Sequence, residues 1–249
     1  MLCGRVYAHL FAYDLRHVDL TSLGGQADVL LAGHSIVRQT RDGAVLLFWS
    51  AWDDFTLQDS IEIPPNLAQL SNTDFDHPNS LDIDGDGNDV ASFRNLSEIT
   101  KIDAVTGAII WRLGGRNNQF AVMNDPMNGF AGQHSVRVLA NGDLLMFDNG
   151  IRHMPPESRA AQYHVDPAAR TATLVWEFRH NPPLFSPFLG SVQRFQDGST
   201  LVGFGALGVA TAVSATGAVL WEGQLLTDGA PTSFYRAIKV KSLYEYRAP

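Results

Sequence analysis

Asp103-Ala-Val-Thr-Gly-Ala-Ile-Ile-Trp111 and Val213-Ser-Ala-Thr-Gly-Ala-Val-Leu-Trp221 share a Thr-Gly-Ala turn, an apolar run and a final tryptophan. Trp49 and Trp176 end equivalent runs elsewhere in the 249-residue chain. Around these phrases, short apolar runs broken by Gly, Asn and Asp dominate, and helical periodicity is nearly absent. Four units emerge, over residues 5–52, 73–115, 132–180 and 190–226, and each of the last three is four strands long. One more strand, 234–246, follows without a sheet of its own. Self-similar four-stranded units of about 40–50 residues mark a β-propeller. The sequence therefore predicts an all-β fold: a single β-propeller domain, 1–249, of four-stranded antiparallel blades, with about four blades and a closing strand. A β-sandwich or jelly roll is the alternative and accounts less well for the repeats. Propellers have about 4–8 blades, and the abrupt opening at Met1-Leu-Cys-Gly suggests missing N-terminal blades. An open ring would expose an apolar blade face and favour homo-oligomers.

Composition narrows the partners. The formal charge is −8, with three lysines (Lys101, Lys239, Lys241) against fifteen arginines. No basic stripe forms, so nucleic acid is not an expected partner. No run of about twenty apolar residues is present, so no membrane insertion is expected. The first residues lack the apolar core of a secretory signal. The single cysteine, Cys3, leaves the redox compartment unread.

Candidate chemistry gathers on one hairpin. From Gly132 to Arg152 the chain reads as two strands around Asn141-Gly142, a two-residue turn that needs positive φ. His134 opens the first strand, and Asp148-Asn149-Gly150 with Arg152 closes the second, so an imidazole and a guanidinium approach one end of a sheet. Both suit an oxyanion. Gly142 lies eight positions after His134, Gly87 eight after Asn79, and Gly198 eight after Gly190. His134, Asn79 and Gly190 thus start the innermost strands of successive blades, and His77 shares a face with Asn79 by the strand period. The plainer reading of each is a loop anchor or solvated channel lining.

Asp82-Ile-Asp84-Gly-Asp86-Gly-Asn88-Asp89 matches the start of a calcium loop, with oxygens at alternate positions and Gly at the turn. The twelfth position is Phe93 rather than Glu, and an acidic hairpin turn is the simpler reading. No cofactor is otherwise called for. Of the aromatics, most are expected to pack blades together; Phe185 and Phe188 lie just before Gly190, at a loop facing the channel.

Asp76-His-Pro-Asn-Ser80, Lys101 to Gly115, Gln133-His134, Phe147-Asp-Asn-Gly150 and Gly190-Ser-Val-Gln-Arg194 fall in an order that resembles the arylsulfotransferase family, over about Asp14 to Ala237. The resemblance implies a six-bladed ring, of which this chain is similar to the last four blades. It implies PAPS-independent transfer of a sulfuryl group from a phenolic sulfate ester to a phenol, in an extracytoplasmic (periplasmic or secreted) setting. Carried over by motif, His77, His134 and Arg152 become the catalytic set, with protonated imidazoles and the guanidinium donating to sulfate, and Asn79 in the same motif adds a neutral donor. Asn149, beside that arginine, and Phe185 and Phe188, at a loop facing the channel, are the further candidate substrate-binding residues, the two rings placed to stack a phenol. The family's nucleophilic histidine follows a Gly-Phe-Gly-like strand end; here Gly203-Phe-Gly-Ala-Leu-Gly-Val-Ala-Thr211 has none. His153, His164 and His180 are the nearby histidines, and promotion of His77 or His134 is the other route. A non-catalytic propeller that binds a small anionic or aromatic ligand, or a protein, is the competing expectation.

Overall fold

In the computed structural model, residues 8–61 and 74–240 are described. Residues 5–7 of the first unit and 241–246 of the expected closing strand lie outside them.

The four units are four separate antiparallel sheets. The first holds β1 (Ala8–Val18), β2 (Val29–Gln39) and β3 (Val45–Ser50), and the second β4 (Pro78–Ile83), β5 (Asp89–Phe93), β6 (Glu98–Ile102) and β7 (Ile109–Gly114). A short strand, β8 (Ala121–Met123), precedes the third: β9 (His134–Val138), β10 (Leu144–Asp148), β11 (Arg159–Asp166) and β12 (Thr171–Arg179). The fourth holds β13 (Ser191–Arg194), β14 (Thr200–Phe204), β15 (Val209–Val213) and β16 (Val219–Gln224). β8 pairs in parallel with β12 as a fifth, outer strand that periodicity did not reveal.

The tryptophans mark the repeat. Trp49 pairs with Ile36, Trp111 with Lys101, Trp176 with Gln162 and Trp221 with Ala212. In the second, third and fourth blades the ladder slips by a bulge directly beside that pair, and in the first it slips further along, between Arg38 and Gln39; each bulge sharpens the local twist. Blades stack face to face through three apolar clusters. Trp49 packs with Phe93 and Ile102 of the second blade, and Trp111 with Val136 and Met146 of the third. Phe147 and Phe178 of the third meet Val202 and Phe204 of the fourth, with Trp176 packed against that cluster. Trp221, with no blade beyond it among the described residues, is 57% exposed.

Inner strands are joined by side chains rather than a ladder. Val136 N–H donates to Ser80 Oγ (2.8 Å) and Val138 N–H to Asp82 Oδ2 (3.0 Å), so β4 holds β9 by its polar face. The same device recurs beyond the fourth blade: Ala237 N–H donates to Ser191 Oγ (3.0 Å) and Lys239 N–H to Gln193 Oε1 (2.9 Å). Residues 234–239 therefore run along β13 as β9 runs along β4, although 232–240 carry no strand hydrogen-bond ladder. Arg236 reaches across to the Asn79 carbonyl (2.7 Å), tying this segment to the second blade.

The acidic turn at 82–89 is filled by an ammonium. Lys101 Nζ sits 2.6 Å from both Asp84 and Asp86. Asp82 accepts from the Ile83 and Val138 amides, and Asn88 from the Ala104 amide. No group of three or more metal-ligating side chains is assembled among the described residues. Calcium at this turn would have to displace Lys101.

Candidate active site

The inner strands of three blades begin with backbone in the left-handed region: His77 (φ 48°), Ser135 (φ 57°) and Leu189 (φ 60°). Non-glycine residues hold such angles at a cost of about 1–3 kcal/mol each, and persist there only where surrounding contacts over-determine them. Here the contacts are visible. His77 N–H donates to Asp76 Oδ1 (2.9 Å), and its carbonyl accepts from Arg94 N–H (2.9 Å). Ser135 N–H donates to Asn79 Oδ1 (3.2 Å).

This arrangement brings His77 and His134 together, with ring centroids 6.2 Å apart and edge to face. His77 is partly exposed and its Nδ1 meets the Asp74 carboxylate at 2.9 Å. Asp74 is itself fixed by the Asn95 side-chain amide (2.8 Å). His134 is 3% exposed. Its Nδ1 lies 2.7 Å from Asn149 Oδ1 and 3.1 Å from the Gly132 carbonyl.

The orientation of Asn149 settles the proton on that ring. Its Nδ2 donates to the Ser186 carbonyl (2.7 Å) and the Leu189 carbonyl (2.8 Å), so only its oxygen faces His134. Both neighbours of Nδ1 are acceptors, so Nδ1 carries the hydrogen and Nε2 keeps a lone pair. Burial drives the His134 pKa down to about 4, helped by the positive charges of His77 and Arg94 and opposed by the Asn149 bond. His134 is neutral near pH 7. Where a protonated donor was expected, the geometry gives a neutral ring with its hydrogen on Nδ1 and a lone pair on Nε2.

Other expectations divide by placement. Asn79 bridges two blades, its Nδ2 donating to the Gln133 carbonyl (2.8 Å) and its Oδ1 accepting from Ser135 N–H. Asn149 is wholly buried and acts on His134 rather than on a ligand. Phe185 and Phe188 flank the loop whose carbonyls Asn149 holds; Phe188 is half exposed. Arg152 is not brought beside the histidines. Gly150 takes a left-handed φ of 66°, and two residues on, Arg152 donates to the Ile61 carbonyl (3.1 Å). It lines a separate cavity of about 410 Å³ with Arg116, Phe130 and His153, and neither His77 nor His134 borders it.

The three substitute histidines offer no open nitrogen at this end. His153 is buried with Nδ1 on the Glu157 carbonyl (3.2 Å) and Nε2 on the Gly129 carbonyl (3.3 Å). His180 is held by the Pro182 carbonyl and Glu222 (2.7 Å each). His164 pairs with Asp143 beside the Asn141-Gly142 turn, at the opposite end of its blade. Gly205 follows Phe204, where the family histidine was sought, and has no room for a side chain. A Cβ there would lie 2.6 Å from the Gly190 nitrogen and 2.7 Å from the Phe234 carbonyl oxygen.

Two features were missed. Asp76, fully buried, accepts from His34 through Nδ1 (2.6 Å) and the His34 backbone (3.1 Å), joining the first blade to the site. Burial pushes its pKa up, against the pull of His34. The second feature is Arg94, in the β5–β6 turn, whose guanidinium reaches the Pro187 carbonyl on the 185–189 loop (3.3 Å). Its signal was present in the repeat: Phe93-Arg94-Asn95, Phe147-Asp148-Asn149 and Phe204-Gly205-Ala206 end the second strands of three blades.

Comparison with known proteins agrees with this architecture. The chain matches Arylsulfotransferase (ASST) over residues 36–247. It belongs to the arylsulfotransferase family. No curated protein matches it. Similar solved structures include a protein of unknown function from Bacteroides caccae, at 15% identity and TM-score 0.45, covering 77% of this chain and 62% of that one. Catalytically inactive virginiamycin B lyase from Staphylococcus aureus with quinupristin matches at 13% identity and TM-score 0.45, covering 80% and 54%. Myxococcus xanthus glutaminyl cyclase matches at 12% identity and TM-score 0.38, covering 64% and 55%. The chain thus spans between 54% and 62% of the length of these three structures.

Proposed function

We propose that this arylsulfotransferase-family chain moves a sulfuryl group from a phenolic sulfate ester to a phenolic acceptor at the His77–His134 recess, with His134 Nε2 as the atom that carries it. One observation supports this most: the Asn149 oxygen and the Gly132 carbonyl confine the His134 hydrogen to Nδ1 and leave a neutral nitrogen lone pair beside a second imidazole. In the first step the Nε2 lone pair attacks sulfur, the N–S bond forms, and the S–O(aryl) bond breaks with its electron pair leaving on the phenolate. His77, backed by the Asp74 carboxylate, supplies the proton that makes the leaving phenol. In the second step the acceptor phenol gives its proton back to His77 as its oxygen attacks sulfur, and the N–S pair returns to His134. Phe188 and Phe185 stack the rings. The extracytoplasmic setting belongs to the same proposal and rests on the family.

A non-catalytic binding role is the competitor, favoured by the close packing at Gly205. Nitrophenolate release from 4-nitrophenyl sulfate, with and without added phenol, separates the two. Release that depends on phenol, disappears in His134→Ala and leaves a sulfuryl mass on the His134 peptide supports transfer. A folded protein with no release, or release unchanged in His134→Ala, refutes it.

A further inference from the structure

An aryl sulfate carries one negative charge spread over three terminal oxygens, which a cation can hold, and the guanidinium expected there, Arg152, borders another cavity. Arg94 meets the requirement from an unexpected direction. Its backbone is fixed by the His77 carbonyl, which places it on the residue that starts the site. Its guanidinium is spread between Asn95 Oδ1 (2.9 Å) and the Pro187 carbonyl (3.3 Å), so it spans the gap from the second blade to the 185–189 loop. Both partners are neutral. Its Nε is buried and has no hydrogen-bond partner.

Arg94 is partly buried and no carboxylate among the described residues meets it, whereas Arg38 pairs with Asp89, Arg112 with Glu98 and Arg159 with Asp125; a guanidinium partly withdrawn from water gains from an anionic partner. The carboxylates nearest the site are occupied elsewhere: Asp74 by His77 and Asn95, Asp76 by His34 and the His77 amide. An oxyanion arriving between the histidines would give Arg94 the negative partner that the protein withholds, and Nε with a terminal nitrogen forms the planar fork that suits sulfate oxygens.

We propose that Arg94, rather than Arg152, is the guanidinium that holds the sulfate oxyanion at the His77–His134 recess. The proposal rests on the sulfuryl-transfer reading for its substrate but not for its test, because an inert anion reports on the same contact. Inorganic sulfate is titrated into the full chain while the ring signals of His77 and His134 are followed by NMR, for the wild type, Arg94→Ala, Arg94→Lys, Arg152→Ala and the exposed charge control Arg116→Ala. Sulfate should shift both rings in the wild type. Loss of one charge-assisted contact predicts roughly 10- to 100-fold weaker binding in Arg94→Ala. Arg94→Lys, which keeps the charge without the fork, should fall between, and Arg116→Ala should stay within about twofold of wild type because an exposed charge is screened. Melting curves establish which variants fold; should Arg94→Ala fail, Arg94→Lys carries the comparison. Sulfate affinity lost in Arg152→Ala and kept in the Arg94 variants overturns the assignment, as does a wild type whose ring signals ignore sulfate. Turnover of 4-nitrophenyl sulfate is measured in parallel. Sulfate binding that depends on Arg94 without any turnover would sink the transfer reaction while leaving the oxyanion site in place.

Discussion

Replacing His134 with Asn should change how stability depends on pH more than how large it is. An Asn amide can still donate to Asn149 Oδ1, so the hydrogen bond at Nδ1 is kept while titration is removed. In the wild type the folded pKa of His134 is about 4 against an ordinary 6.5. The unfolded chain therefore binds a proton first as pH falls, so the neutral ring contributes stability that is fully present above about pH 6.5 and is lost on acidification toward pH 4. Linkage makes the loss about 3 kcal/mol across that window, since each pK unit is worth about 1.4 kcal/mol. For a chain of this length that corresponds to roughly 6–12 °C in melting temperature. Urea unfolding of both proteins at half-unit steps from pH 4 to 7.5 isolates it, because other groups titrate alike in each and cancel in the difference. The wild-type minus variant stability should be flat above pH 6.5 and fall by about 3 kcal/mol toward pH 4. Parallel curves would refute the neutral, buried imidazole and with it the nucleophile role.

Gly150→Ala should lower stability by about 2–4 kcal/mol and weaken the His134–Asn149 contact. A Cβ there would lie 1.8 Å from the Glu157 carbonyl oxygen at a φ of 66°, so strain adds to a clash with backbone; thermal melts and the His134 ring signals read both effects. Lys101→Met should destabilise the 82–89 turn by about 1–3 kcal/mol, because two carboxylates lose their shared cation, and should make the melting temperature rise with added calcium. A calcium response in the wild type of the same size would show that Lys101 does not hold that place. Trp221→Glu should reduce self-association, measured by light scattering across a concentration series, since Trp221 and Leu220 present an open blade face; unchanged mass would remove that face from any assembly.

The blades were legible because one pattern is written several times. The two Thr-Gly-Ala turns and the four equivalent tryptophans placed the outer strand pairs, and a bulge lies directly beside the tryptophan in three of the four blades. The glycine offsets likewise put His77 and His134 at neighbouring strand heads. What failed to appear in sequence depends on direction rather than position. Asn79 falls in the right place but bridges two blades, and Arg152 lines a different cavity and donates to the Ile61 carbonyl. The charge state of His134 follows from its burial, a property of the assembled stack that its own strand does not encode. Arg94 was hidden for a related reason: it is one of fifteen arginines in a turn, and only the packing of the fourth blade's entry loop against the second gives it meaning.

The clasp between Arg236 and the Asn79 carbonyl joins residues 157 positions apart. At a translation rate of about 5–20 residues per second, Asn79 is made roughly 8–30 s before its partner. During that interval the second blade can fold and the third can dock on it, while the inner edge at Asn79 stays wet. The recess at His77 and His134 is thus assembled from neighbouring blades before it is clasped, and a nascent chain would hold a formed yet unfastened site while the fourth blade is being made.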